Sequence, residues 1–163
     1  MITDASKLIG LSFLNRDSLE EYQDFIIEEK EPELLIDWFG YELAKDIMSE
    51  TPSTEAQALI DGFEYTDSSG DLQKLTGLEK SLVYFMYFYI ARDQRSITTS
   101  LGEKEALAEN AAVYDPAPKL VQNYNTGVKY VNQMIYYLRH EGPNDYLTFD
   151  FKGYLETINR FGI

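Results

Sequence analysis

Apolar residues recur three or four positions apart along several stretches of the chain, a pattern that predicts α-helices. A first helix is expected to begin at Asp17 or Ser18, either of which can serve as its N-cap. Its apolar stripe consists of Leu19, Tyr22, Phe25 and Ile26. A second helix is expected to start at Pro32, whose missing N–H suits a first turn, and to run to about Ser49. Its apolar side consists of Leu34, Trp38, Tyr41, Ala44 and Met48.

Two later helices carry stronger apolar patterns. The helix that begins near Thr76 or Gly77 is apolar on nearly every side, which is typical of a helix buried in a core or between subunits. The longest helix follows Pro116 and Pro118 and ends near Gly142, just before another proline. Its apolar positions alternate three and four apart, the spacing of a heptad seam: Val121, Tyr124, Val128, Val131, Ile135 and Leu138.

The segments between these helices are shorter. Ser53 or Thr54 can cap a short helix that ends near Ile60, and the composition of residues 67–70 predicts the turn of a small β-hairpin. Residues 92–108 are polar and loop-like, and we expect residues 96–100 to extend along a neighbouring molecule, with room for a short helix within residues 103–113.

We therefore predict an all-α fold: a bundle of five or six helices around a buried aromatic helix, with a small β-hairpin. Residues 1–143 form the helical core, and residues 144–163 form an extended aromatic docking tail. An unattached terminus would be polar, so we expect this tail to dock, either on its own domain or on a neighbour. Its apolar positions are Tyr146, Phe149, Phe151, Tyr154, Leu155, Ile158, Phe161 and Ile163.

The composition is that of one folded domain. The chain has 163 residues, 44% of them hydrophobic, and no Cys, which excludes disulfides, thiolate metal sites and thiol nucleophiles. Its longest apolar run, residues 81–91, is about half the length of a membrane span. No positively charged start leads into an apolar stretch, so we expect a soluble protein without a secretory signal.

The negative charge is concentrated in the first half of the chain. Residues 1–70 contain 17 acidic and 4 basic side chains, a net charge of -13, whereas residues 71–163 contain 11 and 10, a net charge of -1. A protein that binds nucleic acid through its phosphates needs a basic patch, so we predict no direct or sequence-specific binding of DNA or RNA. A surface that repels DNA, or imitates it, remains compatible with this charge.

No group of residues supports catalysis. His140 is the one imidazole, and its position beside Arg139 at a helix C-terminus favours an interaction with the helix dipole. Residues 67–71 have the composition of a calcium loop but lack its spacing and its closing Glu. No phosphate-binding glycine motif and no nucleophile elbow occur in the sequence. We predict a non-enzyme with no metal and no cofactor.

Aromatic residues are more numerous than one small core usually accommodates, with 13 Tyr, 9 Phe and 1 Trp. Tyr and Phe surrounded by few charges are typical of the centres of protein interfaces. The alternative is that Tyr rings lie at the edge of the core, where their hydroxyl groups reach water.

The order of these elements resembles the small, mostly helical head–tail connector proteins of tailed bacteriophages, also called adaptor or head-completion proteins. The similarity covers most of the chain as an overall pattern. It is carried by residues 34–43 (LLIDWFGYEL), 60–65 (IDGFEY), 75–78 (LTGL), 84–89 (YFMYFY) with Arg92, 98–102 (TTSLG), 124–125 (YN) and 159–163 (NRFGI).

The resemblance implies a structural protein of the virion, located at the portal vertex or neck and assembled in the host cytoplasm. It implies a ring under the portal protein, commonly of twelve subunits, that extends the DNA channel and docks the next neck or tail component. DNA would pass through the lumen without sequence-specific binding, and no membrane would be involved.

In that role, two regions are expected to reach onto neighbours or the portal: the tail, and the loop of residues 95–105 with Ile97, Thr98, Thr99 and Leu101. One expectation is that the channel is faced by Glu20, Asp24 and Glu28, since an acidic wall repels phosphate and does not bind the passing DNA. The alternative is that these residues form an ordinary solvated face. The alternative function is a soluble acidic regulatory binder, or a DNA mimic that blocks a host DNA-processing enzyme. A mimic needs carboxylates spaced like the phosphates of a duplex.

Overall fold

A computed structural model describes residues 2–3, 8, 20–93, 96–99, 102–105, 117–142 and 153–159. The helices with described bounds are α1 (Glu20–Phe39), α2 (Tyr41–Ile47), α3 (Thr54–Asp61), α4 (Leu78–Asp93) and α5 (Ala117–His140). Two antiparallel hairpins connect them, β1 (Glu64–Thr66) with β2 (Leu72–Lys74) and β3 (Ser96–Thr99) with β4 (Gly102–Glu105). The predicted all-α fold with a small hairpin is confirmed.

The core is built on the contact between α4 and α5, which is the most extensive one between helices. The prediction that α4 is buried nearly all round is confirmed, with buried residues Leu78, Ser81, Leu82, Val83, Phe85, Met86, Tyr87 and Ile90. The seam predicted for α5 is buried in its C-terminal half, at Val128, Val131, Ile135 and Leu138. It packs against α4 of the same chain and is therefore not a surface left for another subunit.

A single aromatic side chain joins three of the helices. The ring of Phe85 on α4 lies 4.7 Å from that of Trp38 on α1 and 5.1 Å from that of Tyr124 on α5. Gly127 of α5 provides the space for this ring, because a Cβ atom built there would lie 2.7 Å from Phe85 Cε2. Phe85 is 1% exposed and closely packed, so its ring cannot shift to make room for a side chain at position 127.

The predicted boundary at Pro32 is wrong, because α1 continues through this residue. Buried side chains recur at three-to-four spacing on both sides of it, at Ile27, Glu31, Leu34 and Trp38. A proline inside a helix removes one hydrogen bond and costs about 3 kcal/mol. Burial of one continuous stripe outweighs this cost. The stripe also differs from the predicted one, since Phe25 is 53% exposed.

The real interruption lies at Gly40, between α1 and α2. Its φ of 78° is a left-handed conformation that glycine adopts without a steric penalty. The turn changes which face of the following helix meets the core, so that Leu43 and Ile47 are buried. Tyr41, which was predicted on the apolar side, is 61% exposed, and this prediction was wrong.

The start of the chain is tied to α1 by a buried carboxylate. Glu31, which is 2% exposed, accepts hydrogen bonds from the backbone N–H groups of Ile2 (2.6 Å) and Thr3 (3.0 Å). Buried charges are tolerated when hydrogen bonds satisfy them. One acidic residue of the first half is therefore a structural element and not part of its charged surface.

The first hairpin was predicted correctly. Asp67 and Gly70 lie in its turn, and the strands pair with Tyr65 opposite Gln73. The second hairpin was not predicted, since residues 96–100 were expected to extend along a neighbour and a helix was allowed from residue 103. Instead Ser96 pairs with Glu105, so both segments are strands of the same chain. The β-branched run of residues 97–99 favours this conformation.

We predict that Gly127→Ala lowers stability, because the added methyl group meets a ring that cannot move. Overpacking costs more than the helix propensity of Ala returns, so we expect a net loss of about 1–2 kcal/mol. Thermal unfolding followed by circular dichroism should show a melting temperature lower by about 2–8 °C.

The exposed position Gln122 on the same helix serves as the control, and Gln122→Ala should change stability by less than about 0.5 kcal/mol. Combining Gly127→Ala with Phe85→Leu should cost less than the sum of the single changes, because Leu lacks the ring edge that the methyl group meets. Strict additivity would contradict the proposed contact.

Candidate functional site

Two asparagines on α5 bind the backbone of the C-terminal tail. Asn132 Oδ1 accepts from Leu155 N at 2.7 Å, and Asn132 Nδ2 donates to Leu155 O at 2.8 Å. Asn125 repeats this arrangement with Ile158, at 2.8 Å and 2.9 Å. Each carboxamide thus pairs with both backbone groups of one residue, as a neighbouring residue in an antiparallel sheet would. We call Asn125, Asn132 and the helix surface between them the asparagine groove.

The spacing of the groove matches an extended chain. Asn125 and Asn132 are seven residues apart on a helix, which corresponds to about 10.5 Å along its axis. Leu155 and Ile158 are three residues apart, which corresponds to about 10 Å in an extended backbone. The tail runs antiparallel to α5, since its earlier residue bonds the later asparagine. A helix surface of this kind holds a polypeptide by its main chain.

The side chains of the bound segment are partly buried and partly exposed. Leu155 and Ile158 are half-buried, and Leu155 packs against the core. Tyr154 is 47% exposed, and the Arg139 guanidinium lies over its ring at 5.1 Å. The remaining exposed positions are Glu156, Thr157 and Asn159. The tail therefore presents exposed side chains, Tyr154 among them, on its outer surface.

A cleft of about 540 Å³ lies beside the groove, between the first hairpin and α5. Its lining is polar and aromatic, which suits a hydrated or polypeptide ligand better than an apolar one. The lining residues are Tyr65, Asp67, Gln73, Lys74, Leu75, Lys129, Asn132, Gln133, Tyr136 and Tyr154. Asn132 of the groove and Tyr154 of the bound tail both line the cleft, so the groove and the cleft form one continuous surface.

Aromatic rings fix the hairpin against α5. The ring of Tyr137 lies 5.0 Å from that of Phe63 and 4.8 Å from that of Tyr65. Burial raises the pKa of Tyr137, and burial followed by the nearby Glu141 carboxylate raises the pKa of Tyr65. Half-buried tyrosines at this edge account for part of the aromatic surplus, as the core-edge alternative supposes.

The hairpin turn is organised by one carboxylate. Asp67 Oδ1 accepts from the backbone N–H groups of Ser69 (2.9 Å) and Asp71 (3.0 Å), and Oδ2 accepts from Gln73 Nε2 (2.8 Å). The hydrogen bond from Gln73, followed by those from the backbone, holds the pKa of Asp67 below its ordinary value of 3.8. Ser68 Oγ also donates to Glu141 at 2.9 Å, which ties the turn to the end of α5.

The predicted contact residues fall in three places. Those in the groove are Tyr154, Leu155 and Ile158. Those on β3 are Ile97, Thr98 and Thr99. Those on α1 are Glu20, Asp24 and Glu28, of which Glu28 is exposed and Asp24 half-buried. Outside the described residues lie Leu101, Tyr146, Phe149, Phe151, Phe161 and Ile163. Within the described parts, the main contacts of β3 and β4 are with each other.

Exposed carboxylates follow one another along the outer side of α1. Glu29, Glu33 and Asp37 are exposed and four residues apart, which corresponds to about 6 Å of helix axis per charge. Lys30 bonds Glu33 at 2.7 Å and offsets part of this charge. Of the predicted acidic positions with described side chains, Glu28 is next to this exposed row and Asp24 is half-buried.

Among the described residues, no group of three or more His, Asp or Glu is placed to hold a metal ion. No described helix is both long and apolar enough to cross a membrane. His140 ends α5 as predicted, and its ring lies 4.6 Å from that of Tyr136.

Comparison with known proteins finds no relative: no protein-family model, no curated protein and no solved structure matches the chain. A function can therefore be inferred only from the groove and the residues around it.

Asn125 and Asn132 were not predicted as functional residues from the sequence. A signal was present, because asparagine is a poor helix former and seldom occurs in the middle of a long helix without a reason. The heptad separation of the two residues places them on one face of α5.

We predict that Asp67→Ala loosens the hairpin turn at neutral pH, because two backbone N–H groups lose their acceptor. Hydrogen exchange at the amides of Ser69 and Asp71 should become faster. Asp71→Ala removes the same charge without removing the acceptor and should leave the Ser69 amide protected.

Acid should destabilise the same turn. Since the pKa of Asp67 is lowered in the fold, its stabilisation is present above pH 3.8 and is lost as pH falls through the folded value. An NMR titration of the Ser69 amide should have its midpoint below pH 3.8. A midpoint at or above that value would contradict the hydrogen bonds.

We predict that Asn125→Ala combined with Asn132→Ala releases the tail while the helices stay folded. Four hydrogen bonds are lost, each contributing about 0.5–1.5 kcal/mol, and the partial burial of Leu155 and Ile158 does not replace them. The amides of Leu155 and Ile158 should lose their hydrogen-exchange protection. The control pair Gln122→Ala and Lys129→Ala is also exposed and seven residues apart, and should leave both amides protected.

Proposed function

We propose that this chain is a structural subunit of a bacteriophage head–tail connector, which forms a ring under the portal and docks the next neck or tail component. The observation that supports this best is the extended tail on α5, with its exposed Tyr154 beside a polar cleft. A segment fixed by its backbone, with several of its side chains exposed to solvent, is suited to contact a partner. The resemblance in the order of elements points to the same class of protein.

The acidic surface of α1 agrees with a wall along which DNA passes. Exposed carboxylates repel phosphate, so they lower the affinity of the channel for its cargo. In this proposal Glu29, Glu33 and Asp37 join Glu28 on the side that faces DNA. The protein acts in the virion neck and needs neither catalysis nor a cofactor for this role.

The same row of charges argues against close imitation of DNA. One strand of a duplex carries a phosphate every 3.4 Å of its axis. Glu29, Glu33 and Asp37 supply one carboxylate per about 6 Å, and Lys30 neutralises part of that. An inhibitor that occupies the DNA cleft of an enzyme is therefore the weaker alternative.

The direct test is to incubate the purified protein with portal from the same source and to examine the mixture by negative-stain electron microscopy. We expect a ring stacked coaxially on the portal, whose class averages give the symmetry. If the protein does not associate with portal but competes with DNA for a nuclease, the regulatory alternative replaces the connector.

Deleting residues 146–163 should abolish ring formation on the portal, because the tail supplies contacts between molecules. Circular dichroism of the shortened protein should retain the helical signal, since the buried residues of α4 and α5 are untouched. An intact ring formed by a folded, tail-less protein would contradict this role of the tail.

A further inference from the structure

We infer that the asparagine groove can bind residues 153–159 of a second copy of this chain in place of its own. The tail is then exchanged between molecules, and each subunit holds the segment of a neighbour. Three features support this exchange: the backbone groups that the asparagines bind, the length of the connection, and the equal contacts that a second copy offers.

The two asparagines of the groove bind backbone groups and not side chains. All four hydrogen bonds of Asn125 and Asn132 go to the N–H and C=O groups of Leu155 and Ile158. A segment from another copy offers the same groups at the same spacing. The bound state is therefore the same in both cases, and only the covalent connection differs.

The connection is longer than the intramolecular path requires. The Arg139 guanidinium lies 5.1 Å from the ring of Tyr154, and Arg139 is within one helical turn of Gly142. Residues 143–152 join these points, and ten residues can span up to about 35 Å when extended. The same connection is therefore long enough to reach α5 of an adjacent molecule.

The energetic balance favours exchange when copies are held side by side. Leu155 packs against the core and Tyr154 against Arg139, and a second copy of the chain offers the same contacts to an exchanged tail. A short tether gives an effective concentration of the order of millimolar, which keeps the tail on its own groove in dilute solution. Neighbours in an assembly supply tails at a comparable effective concentration, so exchange costs little there.

Exchange from each subunit to the next produces a heterologous contact, which closes into a ring when the rotation permits. In this respect the inference rests on the proposed function, because it names the subunit contact of the proposed ring. The exchange itself depends only on the groove and the tail.

Two full-length variants test the exchange by complementation. The groove variant, N125A with N132A, keeps an intact tail. The tail variant, L155P with I158P, keeps an intact groove but lacks the two N–H donors, since proline has none. Sedimentation velocity and equilibrium runs should show each variant alone as a monomer of 18.8 kDa. Their equimolar mixture should form a one-to-one complex of twice that mass, because one groove and one tail remain available.

Two controls keep the outcome specific. Replacing the tail variant by L155A with I158A, which retains both N–H groups and so occupies its own groove, should prevent the complex. Mixing two partners that both carry N125A and N132A should also prevent it. Exchange is overturned if the complementary mixture stays monomeric up to about 1 mM, the effective concentration of a short tether. A complex formed without any intact groove overturns the assignment of the groove.

Failure of the exchange and failure of the connector proposal give different results. A ring on the portal without complementation retains the connector and rejects the exchange. Complementation without any association with portal retains the exchange and rejects the connector.

Discussion

The packing of Phe85 against Gly127 is the constraint on which the rest of the molecule depends. The ring is held between Trp38 and Tyr124, at 4.7 Å and 5.1 Å, so α1, α4 and α5 meet at one residue. Close approach of α4 to α5 buries the seam of α5 inside its own chain. The opposite side of α5 is thereby left for other contacts, and it is there that the groove, the cleft and the first hairpin meet.

Both ends of the described chain are attached by the same physical means. Near the start, the Glu31 carboxylate accepts from two successive backbone N–H groups. Near the end, Asn125 and Asn132 each bond a backbone N–H and a C=O. In both cases a side chain on a helix binds the peptide groups of a segment outside that helix. The two attachments differ in burial: Glu31 is 2% exposed, whereas the tail lies on the surface, so only the tail is placed to exchange its contacts.

Local chemistry explains which features the sequence predicted. The hairpin turn depends on Asp67 and Gly70, and the extents of α4 and α5 follow from periodicity over many residues. The predictions were wrong where a contact between residues distant in sequence, or a single backbone dihedral angle, determines the local structure. Burial on both sides of Pro32 keeps α1 continuous, and the positive φ of Gly40 exposes Tyr41. The role of Asn132 depends on a residue 23 positions away, which no local pattern contains.

Recognition through peptide groups has an evolutionary consequence. Selection on the tail acts on the distance between Leu155 and Ile158, and only weakly on the identity of the exposed residues between them. The exposed residues of this segment can therefore change with each partner that it meets, while its backbone hydrogen bonds to α5 are preserved. An insertion or deletion of one residue there would be far more damaging than most replacements. Lineages of this protein should consequently differ in the amino acids of the tail and agree in the number of residues between its two bound positions.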